Sequence, residues 1–170
     1  MKRLAVVIDM QRDFISGALG TPEASVAAER IAERLKTLRS RGTEIVYTQD
    51  THGEDYAKTQ EGRRLPVAHC LEGSEGWQIL PSLYIPGSKI FRKSAYGSPE
   101  LAAYVAEEGF DEVELLGVCT DICVISNALL IRAFSPETRV AVNAACCAGA
   151  TPEGHENALR AMAVCHVDII

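Results

Sequence analysis

The sequence predicts an α/β protein, a three-layer α/β/α sandwich built around a mainly parallel six-stranded sheet. Three observations predict it. Short apolar runs alternate with longer amphipathic ones along the whole chain. Several of the longer runs open on helix-start chemistry, such as Thr21-Pro22-Glu23 and Ser98-Pro99-Glu100. The 170 residues contain no repeat, linker or low-complexity stretch, so residues 1–170 are read as one domain with a sizeable core.

Each element follows from its residues. Arg3 to Asp9 (RLAVVID) is a compact apolar run ending in a charge, the pattern of a buried strand. Glu23 to Arg41 reads as a helix with Val26, Ile31, Leu35 and Leu38 near helical spacing and Gly42 as its stop. Thr43 to Thr48 is the second strand. Asp50 to Ser82 reads as irregular, and a structureless stretch of that length in a compact domain is usually functional. Gly87 to Arg92 is a short third strand, followed by a helix over Ser98 to Glu108. Glu112 to Val118 is the fourth strand and Asp121 to Phe134 the next helix. Thr138 to Asn143, a helix from Pro152 to Val164, and a short strand over His166 to Ile170 complete the chain. Alternation of this kind implies βαβ units and a Rossmann-like sheet covered on both faces.

Composition narrows the partners. Hydrophobic residues make up 47% and charged residues 24%, and Lys plus Arg (17) against Asp plus Glu (23) leaves a net charge of -6. That excess disfavours phosphate backbones and anionic membranes, so neither nucleic acid nor membrane is expected as a partner. No targeting segment is visible, because the apolar run Leu4 to Ile8 is too short and meets Asp9 at once. Of the six cysteines, Cys146 and Cys147 are adjacent and none forms a CxxC pair. Reduced thiols and a cytoplasmic location are expected. Cys146, Cys147 and Cys165 are read as small buried hydrophobes.

Ligands in open α/β sheets bind outside the carboxyl ends of the strands. The residues that follow the first four predicted strands are Asp9, then Asp50 and His52, then Lys93, then Cys119-Thr120-Asp121-Ile122-Cys123. Cys123 is the best nucleophile candidate. It falls in the first turn of a predicted helix, whose free N–H groups and dipole favour a thiolate. Lys93 would lower its pKa further, Asp9 could accept its proton, and the helix start offers N–H donors for an oxyanion. Cys119 stays open, since its side chain fits a structural role and its backbone N–H a functional one.

These residues resemble a known family. Val7-Ile8-Asp9-Met10-Gln11-Arg12-Asp13-Phe14 is similar to the DxQxDF opening of isochorismatase-like hydrolases. Gly117-Val118-Cys119-Thr120-Asp121-Ile122-Cys123-Val124 resembles their G-V-x-T-x-x-C-V nucleophile segment, and Phe91-Arg92-Lys93 fits their catalytic lysine. The resemblance covers nearly the whole chain in order and is closest to the nicotinamidase-like branch. It implies a triad in which Asp9 is the general base, Lys93 orients and stabilises charge, and Cys123 attacks the substrate carbonyl to form a thioester. It also implies a cis peptide at Val118-Cys119 that aims the Cys119 and Cys123 N–H groups at the oxyanion.

A metal is expected as well. Asp50-x-His52 plus His69 gathers carboxylate and imidazole around one loop, a donor set that suits Zn, Fe(II) or Mn(II). The resemblance supports a divalent ion that holds the pyridine nitrogen of the substrate, and no organic cofactor. For the fourth ligand, relatives use a His or a Glu before the last His. No His lies between His52 and His69, and Glu61 fits best, ahead of Asp55 and Glu54. Phe14 and Tyr96 are candidate walls of the substrate pocket as well as candidates for ordinary packing. Ile122 would give the pocket an apolar surface, and Trp77 reads as structural. Three functions are carried forward: an amidase of nicotinamide or a similar small amide, a hydrolase of a carbamoyl or ureido compound or of isochorismate, and a non-catalytic binding module. The resemblance also makes a homo-oligomer an open expectation.

Overall fold

The computed structural model describes all 170 residues. Its sheet contains β1 (Arg3–Ile8), β2 (Glu44–Asp50), β3 (Ile90–Lys93), β4 (Glu112–Val118), β5 (Arg139–Ala148) and β6 (Asp168–Ile169). The strands lie in the order β3-β2-β1-β4-β5-β6, and every neighbouring pair is parallel. Side chains alternate across the sheet, as the two-residue period of a strand requires. Leu4, Val6 and Ile8 point into one core cluster, Ala5 and Val7 into the other, and all are buried.

The helices are α1 (Arg12–Ile15), α2 (Pro22–Ser40), α3 (Gln60–Arg64), α4 (Pro99–Glu108), α5 (Ile125–Phe134) and α6 (Pro152–Val164). On the Leu4 face, α4, α5 and α6 bury Leu101, Ile131 and Met162 among others. The opposite face is covered by α2 together with Trp77, Ile79 and Leu83 of the irregular segment. Thr21, Ser98 and Thr151 each cap a helix by accepting the N–H three residues on, with proline in the first turn. Each such cap stabilises by about 1 kcal/mol. No helix is long and apolar enough to cross a membrane.

Several boundaries differ from the sequence reading, each for a local reason. Val26 is 45% exposed, and the buried stripe of α2 is Ala24, Ala27, Ile31, Leu35 and Leu38. Alanines complete that face because the helix lies close on the sheet. β2 runs on to Asp50, and β3 starts later and ends on Lys93, because the two strands pair Asp50 with Lys93. β5 continues to Ala148 through a register shift against β4. The irregular segment holds a 3-10 turn at Tyr56–Lys58 as well as α3. The helix expected from Asp121 is divided into a π-helical turn, Thr120–Val124, and α5. β6 is only two residues long, and Cys165 is exposed beside it rather than buried, because α6 ends before the chain re-enters the sheet.

Topology places the site. β1 connects to β2 on one side of itself, whereas β4 lies on its other side, so a crevice opens between the carboxyl ends of β1 and β4. Gly117 is the residue of β4 opposite Ile8. Its φ is +131°, and a Cβ there would sit 2.1 Å from the Ile8 carbonyl oxygen. Only glycine lets the two strands meet at this point. Gly117→Ala is expected to destabilise the fold by about 2 kcal/mol or more, through strain and overpacking together. Urea unfolding checks this, and a wild-type midpoint would contradict the account.

Candidate active site

Asp9, the first residue after β1, has a left-handed backbone with φ of 49°. Asp tolerates that conformation better than bulky residues do. The turn brings its side chain back over the strand ends, where Thr48 Oγ1 donates to Oδ1 at 2.6 Å and accepts the Asp9 N–H at 3.2 Å. Asp9 Oδ2 meets the Lys93 ammonium at 2.6 Å and takes no other hydrogen bond. Lys93 closes β3, and its Nζ also lies 3.3 Å from Asp50 Oδ1 and 3.5 Å from Cys123 Sγ. Cys123 sits in the π-helical turn that leaves β4. Thus residues from β1, β3 and β4 converge within a few ångströms, all of them buried. The Val118–Cys119 peptide is cis, as the resemblance implied, and the Cys119 N–H donates to no acceptor within the protein.

Protonation in this cluster follows from burial and charge. Burial alone would lower the Lys93 pKa, but Asp9, Cys123 and Asp50 outweigh it and hold the ammonium firmly protonated. Unit charges about 4 Å apart attract by roughly 4 kcal/mol even at an effective dielectric of 20. Burial raises the Asp9 carboxyl, with Lys93 opposing and Asp50 adding to the rise. Burial also pushes the Cys123 thiol well above its ordinary value, and the Asp9 charge adds to that more than Lys93 offsets. The thiolate expected from helix start and lysine is therefore not the resting form. Cys123 rests as a thiol beside a carboxylate whose own proton affinity is raised, an arrangement suited to proton transfer between them. Cys119 is likewise pushed up by burial, to about 12.

Four candidate metal ligands come together on the loop side of the same cluster. The ligand atoms of Asp50, His52, Glu61 and His69 all lie within 4.8 Å of one another. His52 Nε2 is 2.9 Å from Asp50 Oδ2 and 3.8 Å from Glu61 Oε1, and His69 Nε2 is 3.6 Å from each of those oxygens. A tetrahedral ion with ligand distances of about 2.1 Å spaces its donors roughly 3.4 Å apart, so the group matches. His69 Nδ1 lies 2.8 Å from the Val67 carbonyl. Donation to that carbonyl fixes the tautomer and leaves the Nε2 lone pair for a cation. The residues therefore fit a divalent ion. Glu61 occupies the fourth position; Asp55 and Glu54 are outside the group. Glu61 starts in the first turn of α3, a helix that the sequence reading passed over.

Two supporting residues had no role in the sequence reading. Gln11, fully buried, accepts the Asp50 N–H at 2.7 Å and donates to the carbonyls of Asp50 and Trp77. Asp13 Oδ2 accepts the Cys70 N–H at 2.8 Å, which pins the residue after His69. Both lie inside the Asp9-to-Phe14 motif, the one signal that could have singled them out. Trp77 is structural: it is buried, its Nε1 donates to Thr51 Oγ1, and its carbonyl anchors Gln11 and Gln49.

The thiol and three of the four candidate ligands, Asp50, Glu61 and His69, open onto one cavity of about 260 Å³. Phe14, Leu65, Tyr96 and Ile122 give it apolar walls, and Asp50, Glu61, His69, Cys119 and Cys123 line its polar end. Phe14 also stacks at a tilt on His69, with ring centroids 5.5 Å apart. Leu19, Thr21 and Ala150 complete the lining; of these only Thr21 carried a signal in the sequence, as a helix start.

The isochorismatase domain family matches residues 3–170. The chain belongs to the isochorismatase family. It is 27% identical to the nicotinamidase/pyrazinamidase of Mycobacterium tuberculosis, over 99% of this chain and 98% of that one. Pyrazinamidase of Pyrococcus horikoshii, solved in complex with zinc, superposes with a TM-score of 0.86 at 28% identity over 100% and 99% of the two chains. The N-carbamoylsarcosine amidase of Thermoplasma acidophilum gives 0.80 at 26%, over 99% and 95%. Family membership makes the chain a hydrolase, and these relatives place it among those that act on C–N bonds.

His52→Ala is expected to abolish stoichiometric zinc uptake after zinc loading and desalting. Elemental analysis reads this directly; undiminished zinc in the variant would overturn the ligand assignment. In the wild type, chelation should lower the melting temperature, because an ion bound only by the folded state stabilises it.

Proposed function

We propose that the chain is a cysteine amidase acting on a small uncharged ring amide, with nicotinamide, converted to nicotinate and ammonia, as the substrate that fits best. The observation that carries this reading is the shared cavity. The nucleophile Cys123, with Lys93 and Asp9 behind it, lies at one point of its wall and three of the Lewis-acid ligand set, Asp50, Glu61 and His69, at another, with room between them for about one aromatic ring. A divalent ion held by Asp50, His52, Glu61 and His69 would supply an electrophilic anchor for a ring nitrogen. The relatives named as nicotinamidase and pyrazinamidase support the same substrate class.

The chemistry then runs through this chain's own residues. Asp9 Oδ2 takes the Sγ proton of Cys123 as sulfur adds to the amide carbonyl. The N–H groups of Cys119 and Cys123 receive the oxyanion, an interaction worth about 3 kcal/mol per donor in comparable sites. Asp9 returns the proton to the amide nitrogen, the C–N bond breaks, and ammonia leaves a thioester on Cys123. Asp9 next takes a proton from water as hydroxide adds to the thioester, and returns it to Sγ as the C–S bond breaks, which restores the thiol and the Asp9 carboxylate; the carboxylic acid released gives its proton to the departed ammonia. Lys93 stays charged throughout and holds Asp9 in place. Amide plus water gives carboxylate plus ammonium.

The second reading, a carbamoyl or ureido hydrolase, has the Thermoplasma relative in its favour. N-Carbamoyl amino acids and isochorismate carry carboxylates, and a buried anion needs a paired cation. No Arg or Lys lines the cavity, while Asp50 and Glu61 do. A neutral substrate is therefore favoured. A non-catalytic binding module gives no reason to bury an acid and a thiol each within 3.5 Å of one ammonium.

Cys123→Ala should abolish ammonia release from nicotinamide by zinc-loaded protein while leaving the circular dichroism unchanged. Residual wild-type turnover would remove Cys123 as nucleophile; an inactive wild type would transfer the proposal to other neutral amides. The pH profile gives a separate check. Asp9 must be a carboxylate to accept the proton, and its pKa is raised above 3.8. Turnover should therefore be present above that raised pKa and be lost as the pH falls through it. A profile flat down to pH 3.8 would contradict Asp9 as the base.

A further inference from the structure

Asn127 stands four residues after Cys123 on α5 and is fully buried, yet the mechanism above makes no use of it. Every hydrogen bond of its amide reaches a different part of the site. Nδ2 donates to the Cys123 carbonyl at 2.8 Å and to the Tyr96 carbonyl at 3.1 Å, and Oδ1 accepts the Ser98 N–H at 3.0 Å. The first partner is the nucleophile itself, the second the residue whose ring walls the cavity, and the third the cap of α4.

The link matters because the Tyr96 loop has little else to hold it. Ser94 to Gly97 connects β3 to α4 and contains no regular structure. Tyr96 is 47% exposed, and its ring has no buried shell that would fix its position. Lys93, by contrast, is held by its pairing with Asp50 and by its ion pairs. Cutting the amide link would therefore leave the lysine in place and free the wall.

We infer that Asn127 is a positioning residue that sets the distance between Cys123 Sγ and the Tyr96 wall, and so places the substrate carbonyl for attack. The inference rests on the ring-amide reading of the cavity. Misplacing a reacting group by about 1 Å costs on the order of 100-fold in rate, so a wall tied to the nucleophile through one side chain is a sensitive point.

Asn127→Ser is the decisive variant. Ser126 on the same helix donates its hydroxyl to the Ile122 carbonyl four residues back, at 2.6 Å. A serine at 127 can do the same to Cys123, which preserves the helix while severing the ties to Tyr96 and Ser98. A double-mutant cycle with Tyr96→Ala, on zinc-loaded protein with nicotinamide as substrate, isolates the coupling. Asn127→Ser alone should lower kcat/KM by roughly tenfold or more. In the Tyr96→Ala background it should cause almost no further loss. Amide hydrogen exchange supplies a readout without substrate: exchange should rise over residues 94–98 and stay unchanged in β1 and β4. Additive losses in the cycle, or unchanged exchange over residues 94–98, would overturn the inference. If the wild type fails to hydrolyse nicotinamide, the substrate reading alone falls, and the exchange experiment still decides whether Asn127 ties the wall to the nucleophile.

Discussion

The buried charge cluster of Asp9, Lys93 and Asp50 is the constraint on which the rest of the site depends. Burying one ammonium and two carboxylates is costly unless each finds partners. Here the cost is offset by an ion pair at 2.6 Å, a second at 3.3 Å, and hydroxyl and imidazole contacts to the carboxylates. The cluster ties the ends of β1, β2 and β3 together, and the thiol of Cys123 approaches it from β4. Removing the lysine would leave two unpaired buried anions, so the charges stabilise the site only as a set.

Asp50 has two duties in that set. Oδ1 faces Lys93, while Oδ2 faces His52 and His69. Burial alone would raise its pKa, but hydrogen bonds to both histidines and the charge of Lys93 hold it below the ordinary carboxylate range. One side chain thus joins the thiol–ammonium cluster to the carboxylate–imidazole group. Gln11 fixes the backbone of Asp50 by accepting its N–H and donating to its carbonyl, which holds this link between the two groups in place.

The fold supports this economy of parts. Parallel strands all release their carboxyl ends on one edge, and the switch between β1 and β4 opens a crevice there. The close meeting of Ile8 and Gly117 brings the Asp9 turn and the Cys119–Cys123 segment to the two sides of that crevice. Supporting side chains such as Thr48, Gln11 and Asn127 then convert strand ends and loops into fixed positions.

The alternation of strands and helices, one mainly parallel sheet, and the identity of the residues at the strand ends are legible in the sequence. Those features depend on local periodicity, capping and turn chemistry, which neighbouring residues carry. Asp9, Lys93, Cys123, Asp50 and His52 are legible by position after strands or by motif and His69 by its donor type, whereas Glu61 is reached only through the family resemblance, ahead of Asp55 and Glu54. Tertiary structure alone decided what those residues experience. The raised proton affinity of Cys123 follows from burial beside Asp9, which lies 114 residues away along the chain, an environment that helix-start reasoning does not contain. The roles of Gln11, Asp13 and Asn127, the exposure of Val26 and Cys165, and the absence of Arg and Lys from the cavity lining are likewise set by contacts between distant segments. Periodicity indicates that a face is buried; only packing determines against what, and burial against a charge differs from burial against a methyl group.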